Sequence, residues 1–73
     1  MNIGENIRYL REKNNLTQRE FCKLIGVTQS MVAQIERGTK VPSMPLGKTI
    51  ADTLNCDISV LYSESLTDAV ISV

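Results

Sequence analysis

Six residues in one short stretch, Thr28, Gln29, Ser30, Ala33, Gln34 and Arg37, offer the most chemistry in this chain. With Val32 and Ile35 pointing inward, they share the outward side of a helix. That side is suited to reading base-pair edges. A glutamine amide pairs at two points with adenine, and a serine hydroxyl bonds either base type. Alanine or a threonine methyl touches the thymine methyl, and arginine reaches guanine or a phosphate. This is recognition chemistry, with no covalent step. The sequence has no histidine. It also has no activated nucleophile arrangement, no phosphate-binding loop and no metal-ligand spacing, so neither an enzyme nor a metal or cofactor site is expected. A plain solvated helix face is the competing reading. Against it, the face is small, uncharged at its N-terminal end and placed at a helix start, and a second capped helix precedes it.

The elements that hold this face lie in residues 16–38, LTQREFCKLIGVTQSMVAQIERG. Thr17 is a good N-cap, and Glu20 three residues on completes a capping box. Leu16 and Phe21 are spaced as a hydrophobic staple. Phe21, Leu24 and Ile25 recur at helical spacing. Gly26 ends the first helix, because the left-handed C-cap conformation suits glycine. The signals then repeat, with a staple from Val27 to Val32, an N-cap at Thr28 and a stop at Gly38. Two capped helices so close together cross steeply, as in a helix-turn-helix.

The stretch resembles the helix-turn-helix of the Cro/cI-type, or XRE, family of phage and bacterial regulators. The likeness spans about residues 3–62 and is carried, in order, by IRYLRE, LTQ, GVTQ, IERG, VPS, IADTLN and DISVLY. It implies an all-α fold, a compact five-helix lambda-repressor-like DNA-binding domain over residues 1–62 with the helix-turn-helix at helices two and three. A C-terminal tail, 63–73, follows. By the resemblance, Thr28, Gln29, Ser30, Ala33 and Gln34 contact bases. Thr17, Gln18, Arg37, Thr39, Lys40 and Arg11 contact phosphates. Arg11 pairs with Glu36 and ties helix one to the recognition helix. Gln18 braces Gln29 as well as reaching a phosphate. The region of helix five forms the family's dimer contact, which places Val60 and Tyr62 partly in solvent in the monomer.

The remaining segments fit one small domain of 73 residues. A core this thin gains from dimerisation. Neither a transmembrane run nor a signal peptide is visible, so a cytoplasmic location is expected. Cys22 and Cys56 read as small reduced core residues. Net charge is zero, yet residues 1–48 carry +4 and residues 49–73 carry −4. The basic half holds the helix-turn-helix, which fits one DNA-facing surface and one acidic surface turned away.

Helix one is expected over about 3–13, with Ile3, Ile7 and Leu10 as its apolar stripe and Asn14 and Asn15 closing it. Helix four, about 44–54, starts from an N-cap at Ser43 and keeps Leu46, Ile50 and Leu54 on one stripe. Two positions depart from the family. Gly47 stands where Leu is usual, and is expected to leave a hole that Met44 or Leu46 fills, or to admit a close backbone. Leu24 replaces a usually polar residue, and either faces solvent or meets the tail. Helix five follows an N-cap at Asp57. The tail SESLTDAVISV ends too apolar for a free terminus, and Val70, Ile71 and Val73 are expected to serve dimerisation as a short helix or a strand.

The function implied is sequence-specific binding of double-stranded DNA by a homodimer, on a near-palindromic operator with half-sites ~10 bp or a multiple apart. No membrane or small-molecule partner is evident. A second class remains, a protein-interaction module of the same fold, such as an antitoxin binding a toxin. An acidic half and an apolar tail would then be the partner surface.

Overall fold

A computed structural model of the chain describes residues 2–64. Five helices follow in order: α1 (Ile3–Lys13), α2 (Gln18–Ile25), α3 (Gln29–Arg37), α4 (Met44–Thr53) and α5 (Ile58–Leu61). Each begins at a side chain that satisfies a backbone N–H otherwise left without a partner. Thr17, Thr28, Ser43 and Asp57 cap as their sequence positions predict. Asn2 is a fifth cap. It forms a capping box with Glu5, and the pattern N-x-x-E was there to be read. Helices α2 and α3 end on Gly26 and Gly38 at φ +78° and +87°, backbone that a side chain would strain. Asn15 and Asn55, both at φ +58°, take the same conformation after α1 and α4.

The core gathers one side of every helix: Ile7 and Leu10 from α1, Phe21, Cys22 and Ile25 from α2, Val32 and Ile35 from α3, Ile50 and Ala51 from α4, and Leu61 from α5, with Leu54 just beyond α4. Helix α1 packs against both α3 and α5, so it spans the core, while α2 lies between α3 and α4. Cys22 is buried and Cys56 half-buried, and both are free thiols. Burial pushes the Cys56 thiol up from its ordinary pKa, with the Asp57 charge adding to the effect. Among the described residues, no helix is long and apolar enough to cross a membrane.

Of the occupants expected beside Gly47, Met44 and a close backbone are corrected, while Leu46 is half-buried against the core. Met44 is 65 % exposed and fills nothing. What faces Gly47 is a side chain of α5 rather than a backbone: a Cβ placed there would lie 3.6 Å from Ile58 Cδ1 and 4.0 Å from the Tyr62 hydroxyl. Both are ordinary contact distances. Gly47→Ala is therefore expected to stabilise the fold by about 0.5–1 kcal/mol, the helix-propensity difference, without a packing penalty. A lowered midpoint in urea would show that α5 sits tighter on α4 than this geometry allows. Leu24 is 58 % exposed on α2. The tail positions Val70, Ile71 and Val73 lie outside the described residues.

A buried amide joins α1 to the end of α5. Asn6, 0 % exposed, donates from Nδ2 to the carbonyls of Leu61 at 2.7 Å and Ser63 at 2.8 Å. This satisfies carbonyls at the end of α5, where the helix offers no further N–H. In the sequence, Asn6 lies beside the apolar stripe of α1 and has the signature of a solvated polar residue.

Candidate nucleic-acid interface

The outward face of α3 begins at its N-cap. Thr28, Gln29 and Ser30 are exposed; Ala33 and Gln34 are half-buried; Arg37 is exposed at the last turn. The Thr28 hydroxyl accepts the N–H of Met31 at 3.1 Å, which fixes the start of the helix. No charged residue stands in this first turn. Neutral donors and acceptors with free side chains are what base-edge pairing requires, whereas charges there would favour phosphate. Val32 and Ile35 hold the opposite side in the core.

Beyond α3 the chain turns sharply. The Gln34 carbonyl accepts the N–H groups of Thr39 at 3.0 Å and Lys40 at 3.3 Å, and also the Thr39 hydroxyl at 3.0 Å. The Thr39 hydroxyl proton is thus engaged inside the chain, while Lys40 projects into solvent. At the start of α2, Thr17 and Glu20 bond each other reciprocally at 2.9 and 3.0 Å. The Thr17 N–H and hydroxyl hold the Glu20 carboxylate below its ordinary 4.5, and the Ser59 N–H holds Asp57 below its ordinary 3.8. Folded-state pKa values are lowered in both cases. The stability these two groups give is complete above the ordinary values and is lost as pH falls through the depressed ones. Urea midpoints taken from about pH 5 to about pH 2 are expected to fall with acid, less steeply in Glu20→Gln. Equal slopes would mean that the box does not survive in solution.

One ion pair locks the arrangement. Arg11 Nε donates to Glu36 Oε2 at 2.6 Å and Nη2 to Oε1 at 3.1 Å, while Nη1 donates to the Leu16 carbonyl at 2.7 Å. The two side chains are 8 % and 4 % exposed. The fork of the guanidinium matches both carboxylate oxygens, which only arginine achieves. The hydrogen bond to Glu36 raises the Arg11 pKa above its ordinary value, against the effect of burial, so it stays charged. Arg11 joins α1 to the end of α3 and, through Leu16, to the segment leading into α2. Gln18 takes part as well. Its Nε2 donates to Glu36 Oε1 at 3.1 Å rather than to Gln29, the partner that the family resemblance suggested. No spacing rule would have found this contact, because it depends on where α3 ends relative to the start of α2.

The profile described as "Helix-turn-helix" matches residues 7–61. The chain belongs to the XRE-type helix-turn-helix family. Among curated relatives, an uncharacterized HTH-type transcriptional regulator, YazB of Bacillus subtilis, is 38% identical over 52 residues, covering 71% of this chain and 75% of that protein. The antitoxin PezA of Streptococcus pneumoniae is 36% identical over 53 residues, 73% of this chain but 34% of the antitoxin. Among solved structures, the DNA-binding domain of the P22 c2 repressor superposes with a TM-score of 0.86 at 26% identity, covering 93% of this chain and 90% of that one. The same repressor in complex with a synthetic operator gives a TM-score of 0.82 at 27% identity, covering 86% and 96%. Fold and family are those of DNA-binding transcriptional regulators, and five helices with the helix-turn-helix at α2–α3 are what the sequence led one to expect.

Proposed function

We propose that this XRE-family chain is a sequence-specific regulator that binds double-stranded DNA as a homodimer on a near-palindromic operator, acting as a repressor. The observation that carries the reading is the neutral outward face of α3, Gln29 and Ser30 foremost, held from behind by the buried Arg11–Glu36 pair. The likeness to the P22 c2 repressor, a structure of which holds an operator, supports it. Thr28, Gln29, Ser30, Ala33 and Gln34 read bases. Thr17, Gln18, Arg37 and Lys40 set position on phosphates, with Arg11 behind them, and Thr39, whose N–H and hydroxyl the Gln34 carbonyl holds, shapes the loop that presents Lys40 to the backbone. Val60, half-buried, and Tyr62, 48 % exposed, present the α5 end to a second copy. Two copies related by a two-fold axis set half-sites ~10 bp or a multiple apart.

Selection of bound duplexes from random DNA at two salt concentrations tests this. Recovery of a palindrome with two half-sites is expected; weak binding with no enriched motif would overturn the reading. On the recovered duplex, Gln29→Ala is expected to lose about 1–3 kcal/mol and to relax preference at one base pair. The same loss on unrelated DNA would remove Gln29 from the base-reading set. The similarity to PezA favours one other reading, an antitoxin-like module whose main partner is a protein. A monomer by light scattering that enriches no DNA is its signature.

A further inference from the structure

Gln18 is held from one side only. Its Nε2 carries two protons, and one is engaged by Glu36 Oε1 at 3.1 Å. Among the described residues, the other proton and the side-chain oxygen have no partner, and the half-buried side chain keeps access to solvent. The same Glu36 oxygen also accepts from Arg11 Nη2, and the second oxygen from Arg11 Nε. One carboxylate near the end of the recognition helix therefore orients an amide in the first turn of α2.

We propose that Glu36 is a positioning residue for phosphate binding: it selects the Gln18 side-chain orientation before DNA arrives and leaves one amide proton for a backbone phosphate. The inference rests on the DNA-binding reading above. A free glutamine side chain samples many rotamers, and ordering it on binding opposes association. A hydrogen bond to a carboxylate is stronger than a neutral one, so Glu36 orders the amide in advance. A lone carboxylate beside a phosphate would repel it. Arg11 cancels that charge, so the pair presents an oriented amide without net negative charge. Because Glu36 belongs to α3, the phosphate hold at α2 and the register of the recognition helix are set by one residue.

The test uses the duplex that the unmodified chain enriches from random DNA, with single methylphosphonates replacing backbone phosphates in turn. Failure to enrich any duplex overturns the DNA-binding reading itself. Given a duplex, one methylphosphonate is expected to weaken the unmodified chain on the order of tenfold and to have no further effect on Gln18→Ala. If Gln18→Ala abolishes sensitivity at no phosphate, the inference fails. Glu36→Gln sets an amide donor against Gln18 or against Arg11. In that variant, sensitivity at the Gln18 phosphate is expected to disappear while the other sensitive phosphates keep theirs. A uniform loss at all of them would make Glu36 merely structural and overturn the proposal. Where Glu36→Gln does not fold, the unmodified chain decides by NMR. A Gln18 side-chain amide more ordered than those of Gln29 and Gln34 supports the inference, and equal mobility overturns it.

Discussion

Glu36→Ala is expected to lower stability by about 3–5 kcal/mol, a large share of what a small domain possesses. The variant leaves the Arg11 guanidinium in a site where its side chain is 8 % exposed, with the Leu16 carbonyl at 2.7 Å and the exposed Glu12 carboxylate at 3.9 Å as its remaining partners. A charge that deep, left with only a longer contact to a solvent-exposed carboxylate, has lost its hydration without recovering the equivalent from the protein. Much of the expected loss is the stranded charge, rather than the strength of the pair, and a second variant separates the two. Arg11→Met combined with Glu36→Met removes both charges and keeps most of the volume, so its stability is expected near that of the unmodified chain. DNA affinity is expected to fall in both, since α3 loses its tie to α1 and Gln18 loses its partner. Urea denaturation checks the stability and titration of the recovered duplex checks the affinity. A loss below about 1 kcal/mol in Glu36→Ala is what a solvent-screened surface pair gives, and would refute the burial argument.

Gly4→Ala is the second large effect, and its sign is the informative part. Helix propensity alone favours alanine, by up to about 1 kcal/mol in a helix interior and by less at Gly4, the second residue of α1. The structure argues the reverse. A Cβ on Gly4 would overlap the Ile35 carbonyl oxygen and lie 3.0 Å from that of Glu36. Both are backbone atoms, which no rotamer change moves. Accommodation requires α1 and α3 to separate, with destabilisation typical of overpacking, about 1–3 kcal/mol or more. Because α1 backs the recognition helix, operator binding is expected to weaken by more than the change in folded fraction explains. Thermal melts of Gly4→Ala and Gly47→Ala make the comparison direct. The same chemical change is expected to lower one midpoint and raise the other. Raised midpoints in both would show that propensity outweighs packing at Gly4.

Local rules made the helices and the reading face legible from residues alone. A cap acts over three residues, a glycine stop is a property of one residue, and an apolar stripe repeats every three or four. Thr17, Thr28, Ser43 and Asp57 therefore declared the starts of four helices, Gly26 and Gly38 the ends of two, and Val32 with Ile35 the side of α3 turned inward. The Arg11–Glu36 pair came from family resemblance, because a separation of 25 residues carries no local signal. What tertiary structure alone decided involves residues whose partners sit on other helices. Gly4 meets the backbone of α3, Asn6 bonds the end of α5, Gly47 faces Ile58, and Gln18 turns to Glu36 instead of Gln29. Each depends on the distance and angle between two helices. Those are set by the summed packing of the whole core, a quantity that no window of neighbouring residues contains.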